Sequence, residues 1–306
     1  MKHAGKILLA HLVVLLCICA SITAQTSLRG NTSTGIRYGD RYTWEKQFGC
    51  VFLVDARTGV MLNGTNAMAA QNIAGSGKLE EYDPSMQPVY LPDATADGIS
   101  TNNYPTIHFP GTLTEMMTAD FVGGILSGNP PGQPTPRPFV ISAVVCAHTN
   151  GGIPVWNLGW SASSNANASC IEIRPAGTTV GSSQIAFGAT TNRAKITGST
   201  TTAGTNKFFI VSVVCDGTTL SFYNNTRRSG ATFTMQGDFI FDQFTVGGFR
   251  GTNGNFTFPW YGNVSYIGVW TNTGASGTDG TWITNMVDFV SANRYPVINS
   301  TLPPTP

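Results

Sequence analysis

Lys207–Asp216 reads KFFIVSVVCD, turns at Gly217-Thr218-Thr219 and continues as Leu220–Asn224, LSFYN. An apolar, β-branched run this short, bounded by a glycine turn, predicts the first arm of a hairpin. Two further runs follow: Phe239–Gly248 (FIFDQFTVGG) and Trp260–Thr271 (WYGNVSYIGVWT). The chain then changes period. In Gly280–Tyr295 (GTWITNMVDFVSANRY), Trp282, Met286, Phe289 and Val290 recur at helical spacing and give one apolar face. Thr278 or Asp279 can cap its start, and Pro296 marks its end. Strands followed by one amphipathic helix predict an all-β sandwich.

Upstream, Phe139–Ala147 (FVISAVVCA) is continuously apolar and reads as a strand covered on both faces. Its Phe139–Cys146 segment echoes Phe208–Cys215. The flanks do not match, so the echo predicts two similarly buried strands of one sheet, not a tandem repeat. Cys50–Asp55 (CVFLVD), Thr106–Phe109 before the turn Pro110-Gly111, Ile153–Trp160, Cys170–Arg174 and Gln184–Phe187 read as further strands. Residues 57–104 and 188–206 are rich in small and polar residues with weak periodicity, and read as loops. Five prolines in 129–138 predict a stiff connector, because proline fixes φ and lacks a donor.

Residues 1–24 have the form of a secretory signal: Lys2 and Lys6, the apolar run Ile7–Ile22, then Ala24 before Gln25. This predicts a secreted chain with a polar lead-in at 25–45, one domain over 46–296 and a short tail at 297–306. No later run is apolar enough to span a bilayer. Loss of Lys2 and Lys6 from 17 basic residues leaves 15 against 16 acidic ones, so nucleic acid is not the expected partner. Cys50, Cys146, Cys170 and Cys215 remain, and an oxidising compartment makes all four disulfide candidates. A Cys146–Cys215 bridge is one pairing if their strands are neighbours. Seven Asn-x-Ser/Thr acceptors occur, at Asn31, Asn63, Asn167, Asn224, Asn255, Asn263 and Asn299.

Several pieces then line up, in order, with a known pattern. They are Phe52-Leu53-Val54-Asp55-Ala56, the Thr106–Phe109 strand with Gly111, Phe139–Val144, the Phe208–Tyr223 hairpin, Phe244–Gly248, Tyr261–Trp270 and the closing helix. In this the chain resembles the concanavalin-A-like lectin/glucanase superfamily, in its laminin-G-like branch. The resemblance spans most of the chain and is best from 139 to 295. It implies a two-sheet antiparallel jelly-roll sandwich with one short C-terminal helix. Members of that superfamily bind glycans, proteins or lipids, or cleave polysaccharides, so the fold leaves function open. Val264-Ser265 stands where the family often has Asp, which weakens any calcium site carried over.

No paired-carboxylate strand motif of a glycosidase is present. Glu80, Glu81 and Asp83 read as a solvated loop cluster, and Glu172 stands alone. No Gly-x-Ser-x-Gly elbow occurs. A lyase-type site would want Tyr with His or Arg and an amide. His108 reads as a half-buried, hydrogen-bonded imidazole and His148 as an exposed turn residue. Calcium needs hard oxygen ligands, for which Asp55, Asp238 and Asp242 are the candidates. Sugar binding needs exposed aromatic planes beside amide or charged groups. Trp156 and Asn157, with Trp160, form one such set; Arg250 and Asn253 leading to Trp260 and Tyr261 form another. The expectation is a non-catalytic module binding carbohydrate or an extracellular protein, with no cofactor required and Ca2+ as an option. A polysaccharide-cleaving enzyme and a structural coat subunit are the alternatives.

Overall fold

The computed structural model describes residues 41–99, 104–111, 117–127, 138–148, 155–159, 169–176, 179–186, 193–197, 206–217, 219–225, 227–234, 241–250, 256–257, 260–271 and 286–298. The signal-like segment, the helix start with its caps, and most of the proline-rich connector lie outside them. Residues from Trp44 onward form one compact unit. It opens on a short helix, α1 (Thr43–Gln47), and β1 (Cys50–Asp55). Next come β2 (Val60–Asn63), β3 (Asn66–Gln71), β4 (Lys78–Glu80) and β5 (Val89–Leu91). A 3-10 turn, Ala94–Asp97, leads to β6 (Thr106–Pro110), β7 (Met117–Thr118) and the helix α2 (Asp120–Leu126). The middle holds β8 (Phe139–Ala147), β9 (Trp156–Gly159), β10 (Ser169–Ala176), β11 (Thr179–Ala186) and β12 (Arg193–Thr197). The last group is β13 (Phe208–Cys215), β14 (Thr219–Asn224), β15 (Arg227–Thr234), β16 (Gln243–Val246), β17 (Phe249–Arg250), β18 (Phe256–Thr257) and β19 (Tyr261–Thr271).

The protein is all-β, with most strands in one large antiparallel ladder. Its centre is β19. One side of β19 pairs with β8 throughout; the other pairs with β6 and then β1. Beyond β8 the ladder runs through β13 and β14 to β15. Beyond β6 it runs through β5, β3, β4, β7, β16 and β9 to β10, β11 and β12. The two ends meet again, β11 against β14 and β12 against β15, so the ladder curls around its own core. Aromatic edges tie opposite parts together: Phe52 meets Phe244 at 5.8 Å between ring centroids and Phe139 meets Phe241 at 6.3 Å. Burying one such side chain contributes about 1.5–3 kcal/mol.

The sequence echo has a structural reason. β8 and β13 lie side by side, every residue of both buried. Phe139, Ile141, Ala143 and Val145 face the core. Alternation sends Ser142 and Ser212 to the opposite face, where their hydroxyls bond each other at 2.8 Å. The closing helical segment covers that face. Met286, Val287 and Val290 are buried, and the Tyr295 hydroxyl donates to the Phe208 carbonyl.

Three expectations need correction. First, residues 57–104 are not merely loops: β2 to β5 lie there, and β12 lies within 188–206. These strands are short and poor in β-branched residues, so ladder hydrogen bonds, not propensity, define them. Second, the helix does not stop before Pro296. A π turn at Val290–Arg294 leads into α3 (Tyr295–Ile298), with the Tyr295 N–H donating to the Val290 carbonyl. Widening the turn accommodates a ring that would clash in a regular α-helix. Third, Cys146 and Cys215 are on neighbouring strands but at opposite ends: Cys146 pairs with Phe208 and Cys215 with Phe139. At ~3.4 Å per residue they lie on the order of 20 Å apart, beyond disulfide reach.

Cys50, Cys146 and Cys215 are free, buried thiols; the Cys170 side chain lies outside the described residues. Burial pushes the Cys215 thiol up to about 12, and raises Cys50 and Cys146 as well. An unfolded thiol ionises near pH ~8.5, so above that pH the native state holds more protons than the unfolded one. Stability is then unaffected by these groups below about pH 8.5 and falls above it, by about 1.4 kcal/mol per pH unit for each thiol. Urea midpoints measured at rising pH are expected to show this decline, made shallower by Cys215→Ala. A midpoint that stays flat to about pH 10 would contradict the buried thiols.

Candidate functional site

Both histidines beyond the signal-like segment come together, although 40 residues separate them in sequence. β19 explains why. His108 on β6 sits opposite Asn263 on β19, and Asn263 sits opposite Cys146 on β8. His148 directly follows β8, and its N–H donates to the Tyr261 carbonyl. The imidazoles therefore flank Asn263 from two sides, 5.6 Å apart between centroids.

A carboxylate reaches the same point from the 3-10 turn. The Asp93 side chain accepts the Thr95 N–H at the start of that turn, and Gly98, with φ 69°, ends it. Such a left-handed end suits glycine. Asp97 lies just before this stop. Its Oδ2 is 2.8 Å from His108 Nδ1 and 2.6 Å from His148 Nε2. Asn263 Oδ1 is 3.0 Å and 2.7 Å from the same two nitrogens. On the far side of the ring, His148 Nδ1 is 2.7 Å from Asn206 Oδ1. Asn206 has φ 63°, a conformation that Asn tolerates better than most residues, and its N–H donates to the Ala147 carbonyl.

Tyr261 forms a wall beside the cluster. Its ring lies 4.6 Å from the His148 ring and 5.9 Å from the His108 ring. Gly111 gives it room, because a Cβ there would come within 2.6 Å of the Tyr261 Cβ. Tyr261, Asp97, His108 and His148 are half-buried, while Asn206 is exposed. The site is thus a shallow, polar place with one aromatic plane. Its nitrogen and oxygen donors can hold a cation or pair with hydroxyl groups. Beneath it, burial first and the Asp97 charge second push the Cys146 thiol up, so Cys146 stays protonated at neutral pH.

The residues named from sequence are scattered. Trp156 and Asn157 are fully buried in β9, and Trp260 is 2 % exposed. Their rings pack on Phe244 and Phe109, so neither indole offers a plane for a sugar. Tyr261 alone of that set combines a described side chain with partial exposure. The Arg250 side chain, Trp160 and Asn253 lie outside the described residues. Asp55 is fully buried and bound by Arg57 Nη2 at 2.7 Å, Arg57 Nε at 3.1 Å and the Tyr104 hydroxyl at 3.0 Å. Its oxygens are engaged by these donors and serve the fold. Asp242 is half-buried at the turn into β16, where its N–H donates to the Gly159 carbonyl; Asp238 lies outside the described residues. Glu80 is paired with Lys78 and Tyr82, and the buried Glu81 accepts the Asp83 N–H. Asn263, one of the glycosylation acceptors, is fully buried, whereas Asn63 is exposed. The sequence alone places His148 in an exposed turn, does not single out Asp97 or Asn206, and marks Asn263 only as a glycosylation acceptor. The available signal was that the two remaining histidines lie at the ends of strands flanking one partner.

No protein-family model matches the chain, and no curated protein matches it. Among solved structures it is similar to Trypanosoma rangeli sialidase in complex with sialic acid, at 13% identity and TM-score 0.45, over 78% of this chain and 33% of that one. For the same sialidase with 2,3-difluorosialic acid the values are 11% and 0.49, over 81% and 38%. It is also similar to the heptameric SAP-like pentraxin from Limulus polyphemus, at 16% and 0.40, over 61% and 81%. The chain spans about a third of the length of the sialidases it matches. Among the described residues, no helix is long and apolar enough to cross a membrane.

Proposed function

We propose that this chain is a secreted, non-catalytic jelly-roll module that binds a carbohydrate at the Tyr261 site. One observation carries the reading. A partly exposed tyrosine ring stands directly beside two imidazoles, a carboxylate and an exposed amide. A sugar offers apolar ring faces and a fringe of hydroxyls, and needs both kinds of surface at once. The curled ladder with its closing helix suits the two-sheet sandwich that the sequence resembles. A glycan array with the secreted form tests this, with Tyr261→Ala as its partner. The variant is expected to lose at least about tenfold in affinity, the scale of one central aromatic contact, with thermal stability little changed. Equal binding by both proteins removes the site from the reading.

A second reading has its own support. Tyr261, His108, His148 and Asn263 are also the residue types that proton abstraction from a uronic acid polymer would use. Product analysis by mass separates the two. Intact glycan supports the binding module, and unsaturated fragments support a lyase.

A further inference from the structure

The Asp97–His108–His148 cluster has an arrangement that hydrogen bonding alone does not satisfy. Asp97 Oδ2 is buried and has both ring nitrogens within 2.8 Å, yet among the described residues it accepts no hydrogen bond. The contacts are close but badly directed, as expected of donors aimed at a common point between them and not at each other. Asn263 Nδ2 is likewise buried without a partner among the described residues, while its Oδ1 faces the two nitrogens. Turning that amide over would supply donors to the nitrogens and would still leave Asp97 Oδ2 without one.

His148 shows what is missing. Its Nδ1 lies 2.7 Å from Asn206 Oδ1, a pairing that suits the tautomer with the proton on that nitrogen. In the neutral ring Nε2 then presents a lone pair to two oxygens, Asp97 Oδ2 at 2.6 Å and Asn263 Oδ1 at 2.7 Å. Lone pairs meeting in this way repel unless positive charge, a second ring proton or a cation, sits among them. The Asn206 contact is the outer hydrogen bond that commonly orients a metal-ligating imidazole.

We propose that this cluster binds a first-row transition cation of the Zn2+ type, through His108 Nδ1, His148 Nε2 and Asp97 Oδ2, with Asn263 Oδ1 as the fourth donor. Two imidazoles favour such a cation over Ca2+ or Mg2+, which prefer all-oxygen sites. Ligand bonds of about 2.0–2.2 Å in a tetrahedron place donors ~3.3 Å apart. The observed separations of 2.6–3.0 Å therefore require the donors to move apart by a few tenths of an ångström. All of them lie on or beside strands that meet at β19, except Asp97, so the cation would pin the 3-10 turn to the sheet. The proposal is independent of carbohydrate binding.

The test uses the full chain after its signal-like segment is removed, stripped with a chelator and titrated with Co2+. One equivalent is expected to bind with the strong visible bands of tetrahedral Co2+, to be displaced by Zn2+ and not by excess Ca2+. Zn2+ is expected to raise the melting temperature of the stripped protein. His148→Ala and Asp97→Asn are expected to abolish both effects while melting like the stripped wild type in chelator. Absence of saturable Co2+ or Zn2+ binding to the wild type would overturn the proposal. So would binding that survives His108→Ala/His148→Ala.

Discussion

Asp55→Ala is expected to remove about 3–5 kcal/mol of stability, the scale for breaking a buried ion pair from one side. The carboxylate is fully buried at the end of β1. It accepts the Arg57 backbone N–H at 2.9 Å, two bonds from the Arg57 side chain and one from the Tyr104 hydroxyl. Removing it takes these bonds from a guanidinium that is only 13% exposed and from a buried phenol. Arg57 also lies 4.6 Å above the Tyr104 ring, so charge and packing change together. Tyr104 further anchors the 3-10 turn, because its carbonyl accepts the Ala94 N–H, and Asp97 rides on that turn. In a domain of this size each kcal/mol shifts the melting temperature by about 2–4 °C, so a fall of ~10 °C is expected in a thermal scan. A fall of about one degree would show that Asp55 contributes no more than a surface pair does.

Arg294→Ala is expected to cost a similar amount, about 3–5 kcal/mol. Arg294 leaves the π turn and places Nε 2.7 Å and Nη2 2.5 Å from Glu45 Oε1. Glu45 is fully buried in α1, and the Tyr266 hydroxyl of β19 also donates to Oε1, at 3.3 Å. The pair is the polar link between the closing helical segment and the start of the compact unit. Around it, Trp44 stacks on Phe289 with centroids 3.5 Å apart, and Arg294 sits 5.4 Å above the Phe289 ring. Without Arg294, the buried Glu45 carboxylate loses its guanidinium partner. Replacing both partners by apolar residues removes that penalty, so Glu45→Leu/Arg294→Met is expected to recover most of the loss. Urea denaturation of the single and double variants completes the cycle. A double variant no more stable than Arg294→Ala would show that the loss is one of packing, not of charge.

The long strands were legible for a physical reason. β8, β13 and β19 are covered on both faces, so their sequences are continuously apolar and need no knowledge of partners. β2 to β5 are not legible in this way. They are short and partly exposed, and their identity lies in pairings such as Val60 with Ala70 and Glu80 with Thr118. Pro296 misled because a rule for regular α-helices does not cover a π turn. The site depended on register still more. His108 was readable as a half-buried imidazole, but its meeting with His148 requires knowing that β6 and β8 flank the same residues of β19. The tryptophans carried the opposite ambiguity. Sequence gives an aromatic side chain but not its direction, and Trp156 and Trp260 point inward.

The most direct test of carbohydrate recognition at Tyr261 is the paired glycan array of wild type and Tyr261→Ala, with product masses read from the same wells. Selective binding of an intact glycan by the wild type, weakened at least about tenfold in the variant, is the predicted result. Binding to no glycan, binding indifferent to the substitution, or fragmentation of the bound glycan would each contradict it.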